Sequence, residues 1–254
     1  MYITKIDHMN LSQIANSGQC FRWHQINENT YRIPAFGKSL DISQNGERFT
    51  LSCDEDEWKH IWELYFDVGT DYKEAEQIIM ESGDEFLKEA YSFGEGLRIL
   101  RQELWEVLIS FIISQNNNIP RIKKSIEKIC GESGGNFPGR HELLEMNLSD
   151  KGLGYREKYI RCAAEWYEGC FNGTVPIQQM SFEKAKELLM DIKGVGNKVA
   201  DCICLFGLHH LEAFPIDTHI KKILNREYDG RLPEWTASKY AGLFQQYIFY
   251  YELK

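Results

Sequence analysis

The chain has 254 residues, 43% of them hydrophobic and 26% charged, with a formal net charge of −9. This composition belongs to a soluble globular protein of one large or two moderate domains, long enough to bury a sizeable core. An acidic total excludes a broad basic coat for nucleic acid but leaves room for a local positive cleft.

No apolar run reaches the roughly 20 residues of a membrane span; residues 104–113 supply about half and read as a buried helix. The opening MYITKIDHMNLSQ has no basic region followed by an apolar run and is not Arg-rich. A prokaryote-like cytoplasmic location without a targeting segment is therefore expected. The seven cysteines stand at 20, 53, 130, 162, 170, 202 and 204, with no C-x-x-C pair. They read as reduced thiols, most of them packed in the core, rather than as a disulfide scaffold.

In chain order, residues 1–53 are β-rich. CFRWHQ (20–25), TYRIPAF (30–36), SLDIS (39–43) and RFTLSC (48–53) alternate or carry β-formers, with polar turns between them. From Asp54 the pattern turns helical. DEDEWKHIWELYF opens with acids suited to a helix N-terminus and aligns Trp58, Ile61, Trp62 and Tyr65 on one face. Helical segments with glycine punctuation then run to the C-terminus. The expected fold class is α+β: a small N-terminal antiparallel sheet with a flanking helix (residues 1–80) packed on a mainly α-helical body (81–254).

The densest chemistry lies in LLMDIKGVGNKVADCICLFGLHHLEAFPIDTHIKKI (188–223). A helix over 182–192 meets the turn Gly194-Val195-Gly196, and a second helix starts near Asn197. Glycines let the backbone turn sharply and approach a ligand, and the N–H groups of a helix start suit a phosphate. Lys198 opens the second helix, and Asp217 stands as N-cap of the next apolar-periodic helix. An amine that acts as a nucleophile must be neutral, whereas free lysine titrates near ~10.4. A helix N-terminus and partial burial both disfavour the ammonium. A carboxylate nearby can stabilise developing positive charge and assist proton transfer. Taken singly, these are a surface lysine and a structural cap; their joint spacing after the hairpin points to catalysis.

This arrangement resembles the helix-hairpin-helix DNA glycosylases that end their hairpin in a Gly/Pro-rich loop and an aspartate (HhH-GPD). Further segments resemble their 8-oxoguanine branch: SGQCFRW (17–23), ISQNNNIPRI (113–122), GLGYR (152–156), KVADCICL (198–205) and YAGLFQQYIF (240–249). They occur in the same order over nearly the whole chain. The resemblance implies a bifunctional glycosylase/AP lyase, with Lys198 and Asp217 catalytic. Gly18, Cys202, Gln245 and Phe249 would hold the extruded base, the Gly18 carbonyl accepting the N7–H that guanine lacks. Asn116, Arg121 and Arg156 would face the opposite cytosine and Tyr155 would fill the gap in the stack. Asn117, Gly194, Gly196 and His219 would contact the DNA backbone. The partner is duplex DNA containing 8-oxoguanine, the protein a monomer, and no cofactor or metal is implied. An iron–sulfur cluster of the superfamily's four-cysteine C-terminal kind is not expected, because no cysteine follows Cys204. Two alternatives stay open: an endonuclease III-like glycosylase for other oxidised bases, and a non-catalytic protein using the hairpin only as a phosphate clamp.

Overall fold

The computed structural model describes residues 1–170 and 176–254, apart from the side chains of 168–170. The thiol of Cys170 thus lies outside the described residues.

Strands β1 (Tyr2–Lys5), β2 (His24–Asn27), β3 (Thr30–Ala35), β4 (Lys38–Asn45) and β5 (Arg48–Leu51) form one antiparallel sheet in the order β1-β5-β4-β3-β2. Period-2 alternation sends Tyr31, Ile33, Leu40, Ile42, Phe49 and Leu51 to the core face. At the β3–β4 hairpin, Phe36 (φ 53°) and Gly37 (φ 68°) both take left-handed backbone, as a tight two-residue turn of the right twist requires.

Two features depart from the expected sheet. Residues 20–23 are not a strand, because Cys20, Phe21, Arg22 and Trp23 are all buried and so have no solvent face. Sheet pairing on that side begins only at His24, on an exposed edge. Conversely, β1 closes the other edge against β5, and its four residues are too short to announce themselves. The segment after Asp54 is helical as expected, with Asp54 accepting from the Glu57 N–H at 2.8 Å. Its middle turn, Trp58–Trp62, is π-helical and buries Trp58 and Trp62, while Ile61 is half-buried.

The body is built around the helix Leu104–Ser114, in which Leu104 and every residue from Val107 to Ile113 are buried. The helix Asn197–Gly207 lies against it, and Gly207 permits close contact: a Cβ there would meet Leu104 Cδ1 at 3.0 Å. Phe111 stacks on Phe206 with ring centroids 5.3 Å apart. The C-terminal helix Ala241–Glu252 packs on Glu85–Gly94 and on Thr218–Glu227. Among the described residues, no helix is long and apolar enough to cross a membrane.

Sheet and body share one continuous core, with polar ties between them. Gln19 accepts from Leu100 N–H (2.9 Å) and donates to the Arg98 carbonyl (2.9 Å). Arg22 pairs with Glu106 of the central helix at 2.6 Å, both largely buried. Burial pushes the Glu106 carboxyl up to about 7, against the pull of Arg22. The folded chain therefore holds a proton that the unfolded chain has lost between pH ~4.5 and ~7. Stability should fall as pH rises through that window, and Glu106→Gln should flatten this part of the profile. Denaturant titrations of both proteins across pH 4–8 measure it, and identical profiles would contradict the assignment.

Candidate active site

The helix Phe182–Met190, a tight turn and the helix Asn197–Gly207 form the hairpin. Its first helix ends two residues before the expected Ile192. The two glycines have different physical roles. Gly194 takes φ +93°, and a Cβ there would lie 2.3 Å from Cγ of Tyr159, so the ring closes over bare backbone. Gly196 has ordinary extended φ, with nothing within 4 Å of a Cβ. It is the N-cap of the second helix and supplies no side-chain cap. The first-turn N–H groups of that helix stand beside an unobstructed backbone, as a phosphate site needs.

Lys198 is the second residue of this helix and half-buried, its Nζ 5.5 Å from the centroid of the Phe111 ring. One turn on, Cys202 is 3% exposed. Burial pushes its thiol up to about 11, with Lys198 pulling the other way and Asp217 adding to the rise, so it is a neutral thiol at physiological pH. Asp217 is the N-cap of the helix Thr218–Glu227, its Oδ1 accepting from Ile220 N–H at 2.8 Å. The second carboxylate oxygen is not used by the cap.

These groups open onto one cavity of about 610 Å³. Lys198, Cys202, Asp217, His219, Gln245 and Phe249 line it, together with Gly18 from the N-terminal unit and Asn116 and Asn117 from the turn after the central helix. Gly18 takes φ +78°, and a Cβ there would press on the Phe249 ring at 3.1 Å. His219 meets the same ring edge-on, with centroids 5.7 Å apart. Of the fixed charges in the lining, Lys198 and Lys221 outnumber the single carboxylate of Asp217. The cleft is locally positive on an acidic protein.

The three asparagines divide their work. Asn116 takes left-handed backbone (φ 47°) and donates to the Tyr155 hydroxyl at 3.0 Å. Asn117 ties back to the Ile113 carbonyl (3.1 Å), and Asn118 caps the helix Ile119–Glu132 by accepting from Arg121 N–H (3.0 Å). Tyr155 stands half-exposed on its glycine-flanked loop, beside the cavity rather than in it. The two arginines are not equivalent. The Arg121 side chain is exposed, whereas Arg156 is buried beneath the turn. Its guanidinium donates from Nε to the Gln115 carbonyl (2.7 Å), from Nη2 to Asn116 (2.9 Å) and from Nη1 to Leu153 (3.1 Å). Gly194, Gly196, Arg121, Tyr155 and Arg156 thus lie outside the cavity lining. Sequence reasoning missed Phe111 beneath Lys198, the Pro215 carbonyl and Gln246. All three wall the cavity, and helix periodicity alone gave no sign of where they point.

Among the described residues, no group of three His, Cys, Asp or Glu is placed to hold a metal ion.

Residues 1–108 match the family model for the 8-oxoguanine DNA glycosylase N-terminal domain. The chain is 30% identical to the N-glycosylase/DNA lyase of Saccharomyces cerevisiae, over 86% of this chain and 68% of that protein. It is similar to the 8-oxoguanine glycosylase/lyase of Clostridium acetobutylicum bound to duplex DNA with cytosine opposite 8-oxoguanine, at 32% identity and TM-score 0.86, covering 99% and 97% of the two chains. It is also similar to MBOgg1 bound to a low-affinity DNA ligand, at 34% identity and TM-score 0.90, covering 99% and 94%.

The hairpin geometry has a direct consequence for stability. In Gly194→Ala, left-handed backbone costs about 1–2 kcal/mol and overpacking against Tyr159 about 1–3 kcal/mol. Gly196→Ala should change stability by under about 1 kcal/mol, since an N-cap glycine is a weak cap to lose. Chemical denaturation separates the two, and equal losses would show that the Tyr159 contact is unimportant.

Proposed function

The chain belongs to the 8-oxoguanine DNA glycosylase/AP lyases of the HhH-GPD superfamily, and on that premise we propose that it excises 8-oxoguanine from duplex DNA with Lys198 as the nucleophile. The observation that carries this reading is the convergence of Lys198 and Asp217, from two helix starts, on one cavity with Gly18, Cys202, Gln245 and Phe249.

A base inside a duplex is out of reach, so the nucleotide is extruded into the cavity. Cys202 and Phe249 pack on the two faces of the base, and the Gly18 carbonyl accepts N7–H. Lys198, after giving up a proton, donates the lone pair of its Nζ to C1′. The C1′–N9 bond breaks, and its electron pair leaves with the base, which takes up a proton. Opening of the sugar ring converts the adduct to a Schiff base. Loss of a C2′ proton then expels the 3′ phosphate, and water releases the lysine. Asp217 stabilises the cationic sugar as the base departs. His219, Asn117 and the N–H groups around Gly194 and Gly196 grip the backbone. Tyr155 fills the vacated stack, Arg121 and Asn116 meet the estranged cytosine, and Arg156 braces the turn that carries Asn116. Cytosine presents adjacent acceptors to an arginine fork, whereas adenine sets an amino donor there, which favours excision opposite cytosine.

Borohydride reduction should trap a covalent protein–DNA adduct, and Lys198→Gln should abolish trapping while retaining affinity for lesion duplex. An adduct formed by the Gln variant at the wild-type rate would remove Lys198 from the chemistry. Asp217→Asn retains a side-chain oxygen for the Ile220 N–H, so stability should change by about 1 kcal/mol or less. Its lost charge should nonetheless slow single-turnover excision by on the order of 10²-fold or more. Normal excision by the Asn variant would leave Asp217 a cap alone.

A further inference from the structure

Gln245 and Gln246 are neighbours on the C-terminal helix, 4% and 3% exposed, and both wall the cavity. Gln245 Nε2 donates to the Pro215 carbonyl at 3.2 Å, and its Oε1 accepts from Gln246 Nε2 at 3.0 Å. The Oε1 of Gln246 is itself buried with no hydrogen-bond partner among the described residues. An unpaired buried carbonyl is unfavourable, so this side chain does not stabilise the fold through its own oxygen. Its one hydrogen bond among the described side chains goes to Gln245.

We infer that Gln246 is a positioning residue which, together with the Pro215 carbonyl, holds the Gln245 amide in one orientation and so makes the cavity prefer an oxidised guanine to an oxidised adenine. The inference rests on the reading of the cavity as the pocket for the extruded base.

A carboxamide has two hydrogens and two lone pairs, and in Gln245 one of each is already committed. The cavity is left with one N–H and one lone pair in a fixed order. The Watson–Crick edge of 8-oxoguanine sets the O6 acceptor beside the N1–H donor, which this order satisfies. That of 8-oxoadenine sets an N6 donor beside an unprotonated N1, the reverse. Meeting it would require the amide to turn end for end, pressing Oε1 against the Pro215 carbonyl and Nε2 against Gln246 Nε2. The Pro215 carbonyl is main chain and cannot reverse. Gln246 can follow only by burying an unpaired amino group in place of its unpaired oxygen. The Gly18 carbonyl does not separate the two lesions, since both carry N7–H, so the discrimination falls to the amide.

The test is single-turnover excision from duplexes with 8-oxoguanine or 8-oxoadenine, each opposite cytosine so that the opposite base is constant. Wild-type protein should favour 8-oxoguanine by on the order of 10²-fold, and Gln246→Met should narrow that ratio by about tenfold. Gln246→Glu, ionised, offers only acceptors to Gln245 and should narrow it further. A merely structural loss would slow both substrates alike and leave the ratio in place, which is why the ratio is the readout. Thermal melts establish that each variant is folded, and affinities for uncleavable 2′-fluoro duplexes of each lesion give the same comparison independently of turnover. An unchanged ratio in a folded Met or Glu variant would overturn the inference while leaving the cavity's function standing. Failure of the wild-type protein to excise either lesion would instead bring down the reading of the cavity, and this inference with it.

Discussion

The helix Leu104–Ser114 has almost no solvent face, and the rest of the molecule is arranged by the need to cover it. Such a helix must be enclosed on all sides. The hairpin's second helix covers one side, brought close by Gly207 and by the Phe111–Phe206 stack. That contact fixes the distance of Lys198 from the floor of the cavity, because the Phe111 ring lies beneath its Nζ. The last turn of the same helix leads into Gln115 and the three asparagines, which form the cavity's far wall. The N-terminal unit seals a further side through Arg22 on Glu106 and brings Gly18 to the rim. The site thus forms where the elements that cover this helix meet the helices that carry Asp217 and Gln245, with Lys198 and Asp217 standing at helix starts.

Much of this was legible in the sequence because the elements follow local rules. The hairpin glycines, the N-cap aspartate and the alternating strands each declare themselves within a few residues. The second hairpin helix begins at Asn197, where the pattern placed it, and Asp217 caps its helix as its spacing indicated. What stayed hidden depends on neighbours distant in sequence. CFRW resembles a strand because consecutive burial and strand formation use the same residue types, and only the interface between sheet and body separates them. The differing fates of Arg121 and Arg156 are likewise set by tertiary position: one stands in solvent, the other under three carbonyls. Both read simply as arginine in a motif. The pairing of Gln245 with Gln246 was concealed by helix geometry, since adjacent residues point about 100° apart and are not expected to share a task.

Several polar side chains in this region are held by hydrogen bonds within the fold while also standing where a substrate would be met. Asp217 caps a helix with one oxygen, and Asn116 reaches Tyr155 from a left-handed conformation that asparagine tolerates. Because each is held by the fold, none needs to be ordered when a ligand arrives, which lowers the entropic cost of binding. Preorganisation of this kind is how a modest cavity achieves specificity without a large interface.

The Tyr159 ring, closed over Gly194, also meets Tyr155 edge-on, with centroids 5.7 Å apart. Tyr155 in turn takes a hydrogen bond from Asn116. A short aromatic chain therefore joins the turn of the hairpin to the exposed tip of the glycine-flanked loop. Two projections that belong to separate stretches of sequence are thereby tied to each other through packed rings, with Tyr159 as the shared strut. A shift of that one ring would be felt at both ends, at the hairpin turn and at the loop tip.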